Sequence, residues 1–369
     1  MPVHADGRHG ARGLDRNRRC RPRDGTLNRR RFAVIKRLGV VVVLLLAVVT
    51  LADAQPKPVR PFTFILDFLP YGEYTPYFTA LDKGWYREEG LDVKILRGAG
   101  GGDTIKRIAV GQGEAGSADF SGLVAAKANE DIKVKAIGAY FRRPPHSIFV
   151  REGSGINAPK DLEGKTLSIT PGNSHGILFP LLAKLAGFRA DSVKWVTMDG
   201  AAMGPALITG RVDGAPFFAN HEARLQKQAK AQGITLKRIS YADAGFDMYS
   251  LVIFAREDTI AKDPETLKAF LRGSVRGMKH AFAKENLEEG ARILLKSNPE
   301  VDLDAAVGAA TVASRYSMTD EVTSGKVAVG QFEPARVDRS RDVYTEYMQL
   351  KRRVPGQDLY TNDLLPERK

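Results

Sequence analysis

Two α/β lobes facing each other across a cleft are the fold this sequence predicts. Three observations lead there. Short apolar runs alternate with amphipathic stretches from about residue 61 to 258, the rhythm of α/β architecture with parallel strands. The rhythm restarts once, near 142–170, which makes two units rather than one. Beyond 258 the pattern turns strongly helical, a tail that has to pack on one of the units.

The elements follow in order. PFTFILDFLP (61–70) is apolar and ends on proline, so it reads as a strand. YFTALDKGWYREEG (77–90) reads as a helix stopped at Gly84 and Gly90, and LDVKIL (91–96) alternates as a strand does. The glycine turn RGAGGG (97–102) leads into the helix DTIKRIAVG, with Asp103 as its expected N-cap and Gly111 as its C-cap. GEAGSADF (113–120) predicts a buried strand, FSGLVAAKANE (120–130) a helix and IKVKAIGAYF (132–141) a strand. In the second unit SIFVRE, KTLSIT, SVKWVTM, VDGAPFF and ITLKRIS read as strands. NSHGILFPLLAKLAG, GPALITG and ANHEARLQKQAKAQG read as the helices between them. Apolar runs at 147–150 and 250–255 mark the crossovers, giving a first lobe of 55–147 with 252–369 and a second of 148–251. A hinge at these segments would close the cleft. Arg142 and Arg143 beside it read as solvated charges.

Residues 1–54 read as a leader. NRRRF opens a basic segment, an apolar stretch spans 38–51, and Ala52-Asp53-Ala54 is a small-x-small stop with cleavage expected after Ala54. The general secretory route fits, although Arg29-Arg30-Arg31-Phe32 loosely resembles a twin-arginine signal. The apolar stretch is short for a membrane span, which needs about 20 residues. The leader carries 12 of the 56 Lys and Arg and 4 of the 43 Asp and Glu, so the net charge falls from +13 to +5 without it. That argues against nucleic acid as a partner. The only cysteine, Cys20, leaves with the leader, and no cysteine follows the apolar stretch for lipid attachment. A free, monomeric periplasmic protein held together by its hydrophobic core is the expectation.

Several segments carry a family resemblance. LDFLPYGEYTPYFTALDKGWYREEGLDVKI (66–95), VGQGEAGSAD (110–119), APKDLEGKTLSI (158–169) and LITGRVDGAPFF (207–218) resemble the motifs of the NMT1/THI5-like solute-binding proteins. Phe68 stands where that family commonly shows a tryptophan. The resemblance covers roughly 60 to 260. It implies the type 2 periplasmic binding protein fold: two α/β lobes, a two-strand hinge and a solute in the cleft. It also implies an ABC permease in the inner membrane as partner, and no cofactor.

Four segments supply the candidate site. The end of the first strand offers Asp67, Phe68, Tyr71, Glu73 and Tyr74, with aromatic rings as a stacking wall. The glycine turn offers Gly100, Gly101 and Gly102. It fits neither G-x-G-x-x-G nor a Walker loop, because Asp103-Thr104 follows Gly102. Ser117 and Asp119 close the third strand and offer hydrogen bonds. In the second unit Gly172, Asn173, Ser174 and His175 sit at a helix start suited to an anion, or simply cap that helix. Phe217, Asn220, His221 and Glu222 are similar to an F-W-N-Y-E segment of family members that bind the thiamine pyrimidine, with His221 in place of tyrosine. By that resemblance Glu222 would accept from an exocyclic amine; otherwise it is a surface residue on a first helical turn.

Catalysis has little support. Beyond the leader there are four histidines, at 146, 175, 221 and 280, with no HExxH, CxxC or G-x-S-x-G pattern. The family's fungal pyrimidine synthases carry a cysteine cluster, which this chain lacks past residue 54. The expectation is therefore a binding protein, not an enzyme, for a thiamine-type pyrimidine first. Sulfonates, taurine, nitrate and aromatic carboxylates stay open. An exported enzyme using His175 or His221 beside Glu222, or a sensor's binding protein, is the alternative.

Overall fold

The computed structural model describes residues 59–367 apart from 349. The expected leader, with its apolar stretch and cleavage point, lies outside the described residues. Strands β1 (Arg60–Ile65), β2 (Leu91–Leu96), β3 (Ala115–Asp119) and β4 (Val134–Ala139) come first. Then follow β5 (His146–Arg151), β6 (Thr166–Ile169), β7 (Lys194–Thr197), β8 (Gly214–Phe218), β9 (Leu236–Ser240) and finally β10 (Leu251–Arg256). They build two five-stranded sheets, ordered β2-β1-β3-β10-β4 and β7-β6-β8-β5-β9.

The sheets are mixed, where the sequence rhythm predicts parallel strands. β10 runs antiparallel to β3 and β4, and β5 runs antiparallel to β8 and β9. The cause lies in the two crossings, 140–145 and 241–250. A parallel return within one sheet needs a crossover of a dozen or more residues, usually a helix. These crossings are shorter and pass directly from one sheet to the other. β3 and β8 are buried along their whole length, which fits their near-continuous apolar and small residues.

The helices of eight or more residues are α1 (Thr75–Asp82), α2 (Gly101–Ala109), α3 (Phe120–Glu130), α4 (Ser174–Ala186), α5 (Gly200–Ile208) and α6 (Glu222–Lys230). The helical tail adds α7 (Pro264–Ala281), α8 (Leu287–Ser297), α9 (Leu303–Ser317) and α10 (Pro334–Tyr347). α7 and α8 pack on α1 and α10 packs on α3, beside the first sheet, while α9 lies against both α8 and α6 of the second unit. A ring stack of Phe62, Phe64, Tyr77, Tyr86 and Phe270 ties β1 to α1 and α7 at centroid distances from 4.5 to 6.5 Å.

Two expectations need correction. α2 begins at Gly101, not at Asp103, because Gly100 adopts φ +133 and turns the chain early. Asp103 sits in the first turn and faces Arg107 at 3.8 Å. Arg142 is not solvated but 1% exposed. It donates to the Gln331 carbonyl at 2.7 Å and pairs with Glu333, which straps the first crossing to the tail.

Close helix packing gives a stability test. A Cβ at Gly277 in α7 would run into the Pro76 carbonyl oxygen of α1. Gly277→Val is expected to lower unfolding free energy by about 3 kcal/mol, read from the urea midpoint at unchanged slope.

Candidate functional site

The carboxyl ends of β1, β3, β6 and β8 converge on one space, the place where open α/β sheets hold ligands. A cavity lies there, lined from both sheets. From the first sheet it is lined by Asp67, Phe68, Glu73, Tyr74, Gly100, Gly101 and Asp119. From the second come Gly172, Asn173, Ser174, His175, Phe217 and His221. Sequence reasoning missed Ile105, Ala118, Gly122, Thr170, Pro216 and Phe218, which line it too. Thr170, Pro216 and Phe218 adjoin the predicted segments, so strand ends were the available signal. Ile105 and Gly122 sit one helical turn further in and had none.

Five predicted residues fall outside the lining. Ser117 lies beneath it and donates to Asp67 Oδ1 at 2.7 Å, fixing that carboxyl. Gly102 faces the other sheet's loop rather than the cavity: its N–H donates to the Gly172 carbonyl at 3.2 Å. A Cβ on either glycine would sit 3.0 Å or less from the other's Cα, so both positions need glycine for this approach. Tyr71 packs edge-on behind His221, ring centroids 5.3 Å apart, and carries the Arg224 guanidinium 4.5 Å above it. Asn220 is buried behind His221. Glu222 turns away, because Ala219–His221 form a 3-10 turn and place it at the start of α6, where it pairs with Arg238 at 3.1 Å.

Local sequence explains the geometry of the rest. Asn173 caps α4 by accepting from the His175 N–H at 2.9 Å, and Asp119 caps α3 by accepting from the Ser121 N–H at 3.0 Å. Each of these caps satisfies one N–H of its helix, whereas the start of α2, where Gly100 and Gly101 line the cavity, has no side-chain cap. Phe68 stands edge-on to Phe217 at 6.3 Å and to His221 at 5.7 Å, a ring contact that spans the two sheets. On the rim, Arg97 and Asp199 approach to 3.4 Å, again across the sheets.

The charge of the cavity is one-sided. Asp67, Glu73 and Asp119 line it, and no Lys or Arg does. Burial raises all three carboxyls above their ordinary range, and Glu73 reaches about 8. Asn220 lies beside Glu73 and offsets a little of that rise, although its amide is not in hydrogen-bonding geometry with the carboxyl. Asp67 accepts from the Tyr74 hydroxyl at 2.9 Å, and Asp119 from the Ser250 hydroxyl at 2.7 Å. Glu73 Oε1 stands 3.4 Å from His221 Nε2, while Oε2 is buried without a partner.

The histidines are held neutral. Burial drives His175 and His221 well below 6.5 and His146 to about 3. His175 carries its proton on Nδ1, facing Asn173 Oδ1 at 2.9 Å, while Nε2 accepts from the Ser147 N–H at 3.3 Å. Ser174, His146 and Asp119 come close to a nucleophile–base–acid set, with Ser174 Oγ 2.9 Å from His146 Nε2. Asp119 approaches that same nitrogen at 3.4 Å, and Nδ1 has no partner. A working triad needs the carboxylate on the far nitrogen. Among the described residues no group of three or more His, Cys, Asp or Glu is placed to hold a metal ion.

Two α/β sheets with the cavity at their facing strand ends define the type 2 periplasmic binding protein architecture. The chain belongs to the NMT1/THI5-like family, whose model matches residues 72–286. It is 25% identical to the riboflavin-binding protein RibY of Chloroflexus aurantiacus over 320 residues, 85% of this chain and 88% of that one. It is 24% identical to the formylaminopyrimidine-binding protein of Halalkalibacterium halodurans over 270 residues, 71% of this chain and 80% of that one. It is also 27% identical to a 4-amino-5-hydroxymethyl-2-methylpyrimidine phosphate synthase of Legionella pneumophila over 239 residues, 65% and 74% of the two chains. In fold it is similar to the alkanesulfonate-binding protein SsuA of Xanthomonas axonopodis pv. citri, with a TM-score of 0.64 at 13% identity, covering 84% of this chain and 99% of that one.

Proposed function

We propose that this chain is the extracytoplasmic solute-binding component of an ABC importer, and that its solute is a small, flat, amino-bearing heterocycle of the pyrimidine type. One observation carries the reading: three carboxyl groups and no cationic side chain line a cavity walled by aromatic rings. A sulfonate, nitrate or carboxylate would meet three carboxyl groups with no cationic side chain to offset them, and two of the three helix starts at the cavity already carry side-chain caps. An aminopyrimidine instead offers N–H groups to Asp67 and Glu73 and a flat face to Phe68 and Phe217. A protonated Glu73 also donates to a ring nitrogen while accepting from the neighbouring amine. The names of the riboflavin- and formylaminopyrimidine-binding relatives, both for nitrogen heterocycles, support the same class.

In this reading the lobes divide at the crossings, 140–145 and 241–250, a few residues from the boundaries expected at 147/148 and 251/252. Closure brings Gly102 onto Gly172 and Arg97 onto Asp199 over the bound solute. The leader directs export, the closed monomer docks on a permease, and no chemistry is done on the solute. The synthase relatives make that last point worth testing directly.

Isothermal titration with 4-amino-5-hydroxymethyl-2-methylpyrimidine, formylaminopyrimidine, riboflavin, taurine, an alkanesulfonate and nitrate decides the solute class. The expected order is aminopyrimidines first, with no heat from the anions; tighter binding of the sulfonate than of every pyrimidine would reject the assignment. Mass spectrometry of the recovered solute should show it unchanged.

A further inference from the structure

Behind His221 the two lobes enclose a second, small void, lined by Tyr71, Asn220, His221, Arg224, Ala305 and Ala309 among others. His221 is the single lining residue it shares with the solute cavity. Polar groups facing this region are incomplete. Asn220 is 1% exposed and His221 4%. Both amide atoms of Asn220, Nδ1 of His221, and Nε and Nη2 of Arg224 are buried with no hydrogen-bond partner.

Arg224 is the unusual member. Its guanidinium lies over the rings of Tyr71, at 4.5 Å, and Phe217, at 5.3 Å. Its Nη1 donates to Gln228 at 3.3 Å. Arg224 is half-buried, with Nε and Nη2 shut off from water, and among the described residues no carboxylate forms an ion pair with it, whereas the buried Arg142, Arg336 and Arg341 each have one. A guanidinium keeps its charge in proteins, so one whose Nε and Nη2 are shut off from water without a partner is expensive.

We propose that this void binds one compact monoanion, a halide or a carboxylate of formate size, held by the Arg224 guanidinium and the Asn220 amide. The free N–H groups outnumber the free acceptors, and the void has room for about one particle of water size, which a halide or formate would fill by a small outward shift of the lining. A water molecule would satisfy hydrogen bonds but leave the charge uncompensated. Tyr71 comes from the first lobe and Arg224 from the second, so the anion sits at their junction and favours the closed form. This site differs in sign from the solute cavity, and the inference does not rest on the pyrimidine reading.

The test is thermal unfolding of the purified chain without organic solute, in sodium chloride, bromide or formate against gluconate at constant ionic strength. A rise of a few degrees in Tm with the compact anions is expected, retained in Glu222→Gln and lost in Arg224→Met. A rise in halides alone assigns the site to halides, and one in formate alone to carboxylates. Equal Tm in all four salts, or an undiminished rise in Arg224→Met, overturns the proposal. Should Arg224→Met fail to fold, bromide-soaked crystals of the unmodified chain decide. An anomalous peak within hydrogen-bond reach of Arg224 and Asn220 supports the site, and water alone there overturns it.

Discussion

Gly172→Ala is expected to weaken solute binding tenfold or more while costing the fold only about 1–2 kcal/mol. Gly172 has φ +65, where an L-residue carries that much strain. The larger effect falls on closure. An alanine Cβ would sit 2.8 Å from the Gly102 Cα and 3.1 Å from its nitrogen, so the two loops must part. Parting breaks the hydrogen bond from the Gly102 N–H to the Gly172 carbonyl. In the proposed open form neither contact would exist, so the penalty would fall on the closed form, and each 1.4 kcal/mol of it costs tenfold in affinity. Gly102→Ala separates clash from strain: its Cβ would meet Gly172 Cα at 3.0 Å, yet Gly102 lies in a helix with ordinary φ. It should therefore weaken binding without lowering Tm. Titration calorimetry beside scanning calorimetry reads both, and unchanged affinity in both variants would rule out the loop contact as a clasp.

Glu73→Gln is expected to remove a pH dependence from the stability of the solute-free protein. Burial raises the Glu73 carboxyl from 4.5 to about 8, so the folded state holds that proton more tightly than the unfolded chain. The resulting stability is full below about 4.5 and is lost as pH climbs to 8. Across that window the unmodified protein should fall relative to Glu73→Gln by several kcal/mol, on the order of 4. Asp67 and Asp119 slope the same way but are present in both proteins. His146, His175 and His221, with depressed values, act oppositely: they lower stability as pH drops below 6.5, again in both. The difference between the two proteins thus isolates Glu73. Urea unfolding at pH 5 and pH 8 measures it, and an equal gap at both pH values would show that Glu73 is ionised in the folded state.

Much of the fold is legible because local signals agree with it. Leu91–Leu96 and Phe120–Glu130 form as their patterns predict. The reversed direction of β5 and β10 is not legible, since an apolar run looks the same in either orientation. The strand-end rule finds most of the cavity's polar lining, including Asp67, Asp119 and His175. It fails at Glu222, where a three-residue 3-10 turn shifts the register and a motif match alone cannot show which way the carboxylate points. Arg224 reads as one more cation on a polar helix. Its ring contact appears only when Tyr71, 153 positions earlier, is laid against it.

The two crossings leave and re-enter at neighbouring places. β4 and β10 are paired in the first sheet, and β5 and β9 in the second. Residues 146–240 are thereby a cassette with its two ends side by side, spliced into a host that is otherwise complete. Such a cassette is open to exchange. A chimera carrying the corresponding segment of the riboflavin-binding relative would keep Asp67, Glu73 and Asp119 and replace Phe217, His221 and Arg224 together. Half of the cavity's lining can therefore be inherited as a block, independently of the other half.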